Sequence, residues 1–298
     1  MRKFFTTNIG NKLIHLFLIL FSLAFIIPFL LVIAVSFSNE EAVLQYGFKL
    51  IPIKWDLTAY GLIFGKPEQI LYAYLITSVQ AVGGMVCGLI VMSTCAYALS
   101  RRNFKLRRPI VMFIFFTLLF GGGLIPSYIL ITQYLHINNT ILVYILPTLA
   151  NAFYIIILRT FLQGLPDALI ESAKMDGASE FRVYWKIILP LSKPALATIG
   201  LFVLLDRWND WFTSLIYIRD ARLYTLQFLL QRILLEIDFL KNAYTYNLPA
   251  DMDVNLYKLP SETLRFAMAI VAAGPLLIVF PFFQKYFSKG LTVGAVKG

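Results

Sequence analysis

Six stretches of this chain are predominantly apolar for about twenty residues or more, the length a helix needs to cross the hydrocarbon core of a bilayer. They lie near 13–37, 71–99, 109–132, 141–162, 196–217 and 264–284. Within them apolar residues cover every helical face, whereas a soluble amphipathic helix confines them to one stripe. Composition agrees: 59% of the residues are hydrophobic and 14% charged, against roughly 25% charged in a soluble domain. The expected fold class is therefore all-α integral membrane, with residues 1–298 forming a single transmembrane domain of six helices. The first run is too long for the apolar core of a secretory signal and lacks a cleavage site, so it reads as a retained span.

The distribution of Lys and Arg sets the orientation. Sixteen fall in the N-terminus, the 2–3 loop, the 4–5 loop and the tail, and eight on the opposite side. The 2–3 loop alone holds Arg101, Arg102, Lys105, Arg107 and Arg108 with no acid among them. This predicts cytoplasmic N- and C-termini, a cytoplasmic loop at 163–195, a cytoplasmic tail at 285–298, and external loops at 38–70 and 218–263. The net charge of +10 is a topological signal of this kind and does not point to nucleic acid.

Several residues disturb the spans. Gly121, Gly122, Gly123 and Pro126 interrupt the third, Pro147 the fourth, and Pro275 and Pro281 the sixth. Such breaks free backbone groups that neighbours or a wet cavity must satisfy. Gly84 and Gly88 allow close helix approach in the second span. Cys87 and Cys95, eight positions apart on that helix and so roughly 12 Å distant, are too far for a disulfide and read as core packing. In the second external loop, apolar residues at 226, 229, 230, 233, 234 and 237 predict an amphipathic surface helix within 222–244. It is either a cap over the helix bundle or a platform for an external partner.

Charge inside the fifth span is the next anomaly. Asp206, Arg207, Trp208, Asn209, Asp210 and Trp211 sit near its middle, where each charge costs on the order of 2.5–3.5 kcal/mol against lipid. A continuous helix would put Asp206, Asn209, Asp210 and Thr213 on one face, with Arg207 and Trp211 on its shoulder. Two readings stand: an internal polar cluster joining helices, or the lining of a substrate path. Carboxylates and amides beside indole rings suit a sugar, whose hydroxyls pair with the former while its apolar ring face stacks on Trp.

The polar stretch between the fourth and fifth spans is too long for a simple turn. Asp167 is placed to cap a short helix through Ala173, Gly177 suits a left-handed turn at its end, and Ser179 is placed to cap a second helix that stops before Pro190. The result is two short helices joined at a glycine elbow on the cytoplasmic face. Small residues at 172, 173 and 178 predict a narrow ridge, and Glu171 offers a carboxylate to a basic partner.

Glu171, Ser172, Ala173, Asp176 and Gly177, with the Ile187–Pro190 ending that includes Leu189, resemble the coupling motif of ABC importer permeases. The stretch 165–194, the Arg207–Trp211 run and the glycine-rich tail resemble the carbohydrate branch of that family, of the maltose-permease type. The run 121–128 is similar to a subgroup associated with oligosaccharide and complex-glycan uptake. Two features depart from the pattern: Ser172 stands for the middle alanine, and the 218–263 loop is longer than that of the maltose permease.

The resemblance implies the type I ABC importer permease fold with a cytoplasmic coupling helix, in a bacterial cytoplasmic membrane. It implies that the 171–177 helix docks in a cytoplasmic ATPase, and that Gly290, Leu291, Gly294 and Gly298 of the tail reach between two such ATPase subunits. A homologous second permease subunit and an extracellular solute-binding protein complete the implied assembly, with a carbohydrate as substrate. The chain itself is not expected to be an enzyme. It has no phosphate-cradling G-x-x-x-x-G-K-[ST] loop, so ATP and Mg are expected on the partners; His15 and His136 are isolated, so no metal or catalytic site is expected. Two rivals remain: an ABC permease for a non-sugar solute, and an ion-coupled secondary transporter using Asp206 and Asp210. ATP dependence of uptake separates the second from the rest.

Overall fold

The computed structural model describes residues 2–247 and 260–294, with side chains over 10–240 and 260–284. Every extended element among them is helical, and the strand-like pairing they contain is an isolated bridge between Ser38 and Trp55. The first apolar run forms α1 (Arg2–Ser36). Asn39 then caps α2 (Glu40–Tyr46) by accepting from the Ala42 amide at 3.3 Å, and α3 (Thr58–Ile63) follows. The second run is the unbroken α4 (Pro67–Ser100), whose 34 residues span about 50 Å and exceed the bilayer core.

The next spans are broken. α5 (Arg107–Leu119) and α6 (Leu124–Ile129, extended by a π turn to Tyr134) meet at 113° across Phe120 and the three glycines. α7 (Leu142–Ile145) runs through a 3-10 turn to Thr148 and meets α8 (Ala152–Gln163) at 49°. The polar stretch folds as α9 (Asp167–Met175), then α10 (Glu180–Val183), a π turn over Tyr184–Ile188, and α11 (Leu189–Leu191). α12 (Lys193–Trp208) leaves at 78° to this, and α13 (Phe212–Tyr217), α14 (Leu226–Asn247) and α15 (Glu262–Gly294) complete the chain. Three helices are long and apolar enough to cross a membrane alone, and three bent pairs pass the same test together, giving up to six spans among the described residues.

Two expectations about helix continuity are corrected. The second helix of the elbow does not stop before Pro190 but runs through it. Proline removes one backbone donor, and the π turn at Tyr184–Ile188 immediately before it re-spaces the hydrogen bonds so that the helix continues. The fifth span is not continuous across 206–213, because α12 ends at Trp208 and α13 starts at Phe212. The single polar face expected there is therefore divided.

The chain forms two compact units, 1–67 with 230–275, and 68–229 with 276–298. In the first, the Asn39 and Asp56 amides donate to the Lys54 and Phe37 carbonyls at 2.9 Å, and Phe37 stacks on Tyr60. Glu40, 5% exposed, accepts from the Ser261, Glu262 and Thr263 amides at 2.9–3.1 Å and from the Thr263 hydroxyl at 2.8 Å. Its carboxylate thereby satisfies the orphan donors that open α15. In the second unit, Met92, Ala96, Leu158, Leu162, Val183 and Ile188 form the centre of a core that joins α4, α8 and the coupling segment. Gly200 lets α12 approach α4 closely, since a Cβ there would lie 3.1 Å from Leu89 Cδ1. Cys95 packs against this core, but Cys87 is exposed, so only one of the two cysteines is core. Helix α14 buries Leu226, Leu229, Leu230 and Ile237, as its amphipathic spacing requires.

Candidate coupling elbow and polar pathway face

Helix α9 opens at Pro166, which offers no side-chain cap; Asp167 is its first helical residue rather than its cap and pairs at 3.7 Å with Arg101. The turn after Asp176 has the Schellman pattern: Ala178 N–H donates to the Ala173 carbonyl at 2.9 Å and Gly177 N–H to the Lys174 carbonyl at 3.0 Å. Gly177 has φ +77°, a left-handed value that a side chain would strain. Ser179 accepts from the Arg182 amide at 3.4 Å and opens α10.

This elbow is fastened to the end of α4. Tyr97 donates its hydroxyl to Glu180 at 2.7 Å, and Lys174 bonds the other Glu180 oxygen, closing α9, α10 and α4 into one polar clasp. Arg101 lies 5.2 Å over the Tyr97 ring and donates to the Leu162 carbonyl at 3.4 Å. Ser93 and Tyr184 share a buried hydroxyl contact of 2.7 Å. The Lys174 and Tyr97 hydrogen bonds hold the Glu180 carboxyl below its ordinary range, outweighing the desolvation that pushes it up. Between clasp and helices is a cavity of about 710 Å³ that Glu171 also lines.

The small residues of the motif divide by role. Ala173 and Ala178 pack against the unit's own core, so the expected ridge does not protrude. What α9 presents outward is Glu171, Ser172 and Asp176, with Leu169 and Met175, the last 88% exposed. Phe181 of α10 is also exposed. α9 therefore exposes an apolar pair between polar groups along its nine residues. Leu189 and Pro190 lie on the helix that continues past the elbow. In the tail, Gly290, Leu291 and Gly294 end α15, and Gly298 lies outside the described residues.

At the break in the fifth span the charges separate. Asp210, two residues before α13, accepts from the Thr213 amide at 3.0 Å and from Gln80 Nε2 at 2.8 Å, and its carbonyl accepts from the Thr225 hydroxyl at 3.0 Å. The network continues through Ser214 to Tyr144, whose hydroxyl donates to the Leu223 carbonyl at 2.7 Å. Asp210 is thus part of an internal polar cluster that stabilises the break. Trp208 is turned inward and buried. Asp206, Asn209 and Trp211 stay exposed; Asp206 accepts from Tyr154 at 3.1 Å, and Asn209 donates to the Leu205 carbonyl at 2.9 Å. Arg207 packs its stem against Gly84, whose added Cβ would meet Arg207 Cγ at 3.5 Å. No carboxylate lies within ion-pair distance of it among the described residues, and its Nε is buried without a hydrogen-bond partner, as is Gln80 Oε1. Among the described residues no cluster of three His, Cys, Asp or Glu could hold a metal ion.

Residues 82–293 match the family described as "Binding-protein-dependent transport system inner membrane component". The chain belongs to this permease family. Over 291 residues the permease is 39% identical to the polygalacturonan/rhamnogalacturonan transport system permease protein YtcP of Bacillus subtilis, covering 97% of this chain and 98% of that one. It is 30% identical, over 92% of its length and 91% of the other's, to the arabinooligosaccharides transport system permease protein AraQ of Halalkalibacterium halodurans. Among solved structures it resembles a chain of a bacterial ABC transporter involved in the import of the acidic polysaccharide alginate, with a TM-score of 0.76 at 30% identity and coverage of 94% and 97%. Both the type I ABC permease fold and the membrane setting of the family accord with the all-helical architecture. A binding-protein-dependent permease works with a substrate-binding protein and an ATPase.

Several residues that shape the permease's two sites carried no sequence signal. Tyr97, Gln80 and Tyr154 sit 83, 130 and 52 positions from their partners Glu180, Asp210 and Asp206. Nothing local in the chain distinguishes them from ordinary span residues. Met175 and Phe181, apolar residues of the same polar segment, stay exposed, which the reading of the ridge at 172, 173 and 178 did not single out.

Proposed function

We propose that this permease forms half of the translocation pathway of an ATP-driven importer whose cargo is an oligosaccharide bearing carboxylates. The observation that carries the acidic cargo is Arg207: a guanidinium in the last turn of α12, beside the exposed Asp206–Tyr154 pair, with no ion-paired carboxylate among the described residues and with a buried, unpartnered Nε. Arg207 is partly buried, and Asp206 and Asp210 attract it without pairing directly with it, so a uronate would supply the direct partner it lacks. Asn209 and Trp211, both exposed beside Arg207, would meet hydroxyls and a sugar ring. The relatives named for polygalacturonan and for alginate handle acidic polymers, which supports the same reading.

The chain is the transport subunit and performs no catalysis. ATP and Mg bind two cytoplasmic ATPase subunits, a homologous second permease completes the pathway, and an extracellular binding protein delivers the sugar. Both termini face the cytoplasm of the bacterial cell. The outward face of α9, from Leu169 to Asp176, docks in the ATPase, and Gly290, Leu291, Gly294 and Gly298 reach between the ATPases. ATP binding favours the outward-facing state because the ATPases contact the two states differently.

Arg207→Ala tests the cargo. In proteoliposomes, uptake of a uronate oligosaccharide is expected to fall about 10-fold or more relative to a neutral one of equal length, the loss of one charge-assisted pair. Equal loss for both sugars refutes the acidic reading.

A further inference from the structure

We propose that Arg107, Arg108 and Arg159 form a binding site for the headgroup of an anionic phospholipid. They line a cavity of about 370 Å³ together with Val111, Met112, Phe115 and Ile156. Arg107 and Arg108 open α5, whose first turn contains no acid and whose N-cap, Leu106, provides no side-chain acceptor. The positive end of that helix dipole therefore adds to the two guanidinium groups. Arg159 faces them from α8, half-buried and held by its Nε–H bond to the Leu99 carbonyl at 3.2 Å. None of the three has a carboxylate within ion-pair distance among the described residues. Three like charges around one cavity repel each other, and no carboxylate among the described residues pairs with them to offset that.

Phosphate chemistry meets this need, since each guanidinium offers a planar fork of donors to its oxygens. The apolar part of the cavity selects a lipid over an acidic protein segment. Met112 is 76% exposed and Phe115 53% exposed, and they continue from the arginines along α5 in the direction of the span. Hydrocarbon beside a cationic rim is the arrangement of a lipid headgroup with its acyl chain below, at the boundary where basic inter-helix pockets take anionic lipids. A carboxylate from a soluble partner would satisfy the arginines and leave Met112 and Phe115 uncovered.

The test uses the whole transporter complex, purified and placed in phosphatidylcholine nanodiscs with and without phosphatidylglycerol. Lipid retained per permease is read by native mass spectrometry. Arg107→Gln/Arg108→Gln is the principal variant, because Arg159 and its bond to Leu99 stay in place. Its affinity for phosphatidylglycerol is expected to fall about 30-fold, from two lost surface charges, while Lys105→Gln, in the same loop but outside the cavity, retains it. Arg107→Lys/Arg108→Lys keeps the charge and is expected to retain most of the lipid. Equal retention by the double Gln variant and the wild type overturns the site. So does a double variant that sheds the ATPase but keeps its lipid, which would make the patch a protein contact. A glycerophosphate headgroup without acyl chains that competes as well as the intact lipid overturns the part assigned to Met112 and Phe115.

Discussion

Removing the Tyr97 hydroxyl isolates the clasp between the coupling elbow and α4. In Tyr97→Phe the ring keeps its packing, centred 5.5 Å from the ring of Tyr184, so no cavity forms. What disappears is the 2.7 Å bond to Glu180. The Glu180 side chain is 58% exposed and still bonded to Lys174, so it is not orphaned by the change. The loss is therefore that of one solvated hydrogen bond, about 1 kcal/mol, and not the larger penalty of a stranded buried charge. That shifts the equilibrium between a fastened and a loosened elbow about fivefold. Two measurements read it in the assembled transporter. Amide exchange over 180–183 is expected to quicken by about that factor, and substrate moved per ATP hydrolysed is expected to fall while hydrolysis itself persists. A double-mutant cycle with Glu180→Ala should return a coupling of about 1 kcal/mol. Unchanged exchange together with unchanged transport per ATP refutes the clasp as a transmission element; strictly additive effects refute the direct bond.

Glu171→Lys is expected to leave the permease folded, since Glu171 is exposed, yet to uncouple uptake from ATP hydrolysis; uptake at the wild-type rate sinks the assigned docking face. Glu40→Gln replaces an acceptor of several hydrogen bonds by an amide that turns donors toward donors, and a loss of about 2–4 kcal/mol in stability at neutral pH is expected from thermal melting. Burial pushes the Glu40 carboxyl up, but the bonds from Thr263, Glu262 and Ser261 outweigh it and hold it below its ordinary value. Its contribution is thus present above the unfolded carboxylate range near pH 4.3 and lost as pH falls through the lower folded value, so the variant should show a shallower acid limb than the wild type.

Helix existence was legible because it rests on local quantities: run length, apolar content and glycine or proline placement. The Schellman elbow at Gly177 and the Ser179 cap also depend on neighbouring residues alone, and both appear where the chain predicts them. Continuity was less legible. Pro190 reads as a stop, yet a π turn carries the helix through it, and the 206–213 stretch reads as one face although a new helix starts at Phe212, with Asp210 bonded to its Thr213 amide. The first outcome depends on how the turns before Pro190 re-space their hydrogen bonds, and the second on tertiary neighbours. Around Asp210 the Thr225 hydroxyl donates to the freed carbonyl and Gln80 donates to the carboxylate, and neither is adjacent in sequence.

The sequence by itself determined that this chain crosses a membrane in several helices, that a polar elbow interrupts them, and that a charged cluster lies inside the fifth span. Those properties follow from the cost of burying charge and unpaired backbone in hydrocarbon, which composition and spacing alone convey. Only the tertiary structure decided which members of those groups are spoken for. Ala173 packs inward while Met175 faces out, Asp210 is tied to Gln80 while Arg207 keeps an unpartnered Nε, and Glu180 is clasped by Tyr97. Whether a polar group is satisfied depends on partners brought within about 3 Å by folding, and sequence distance does not encode that.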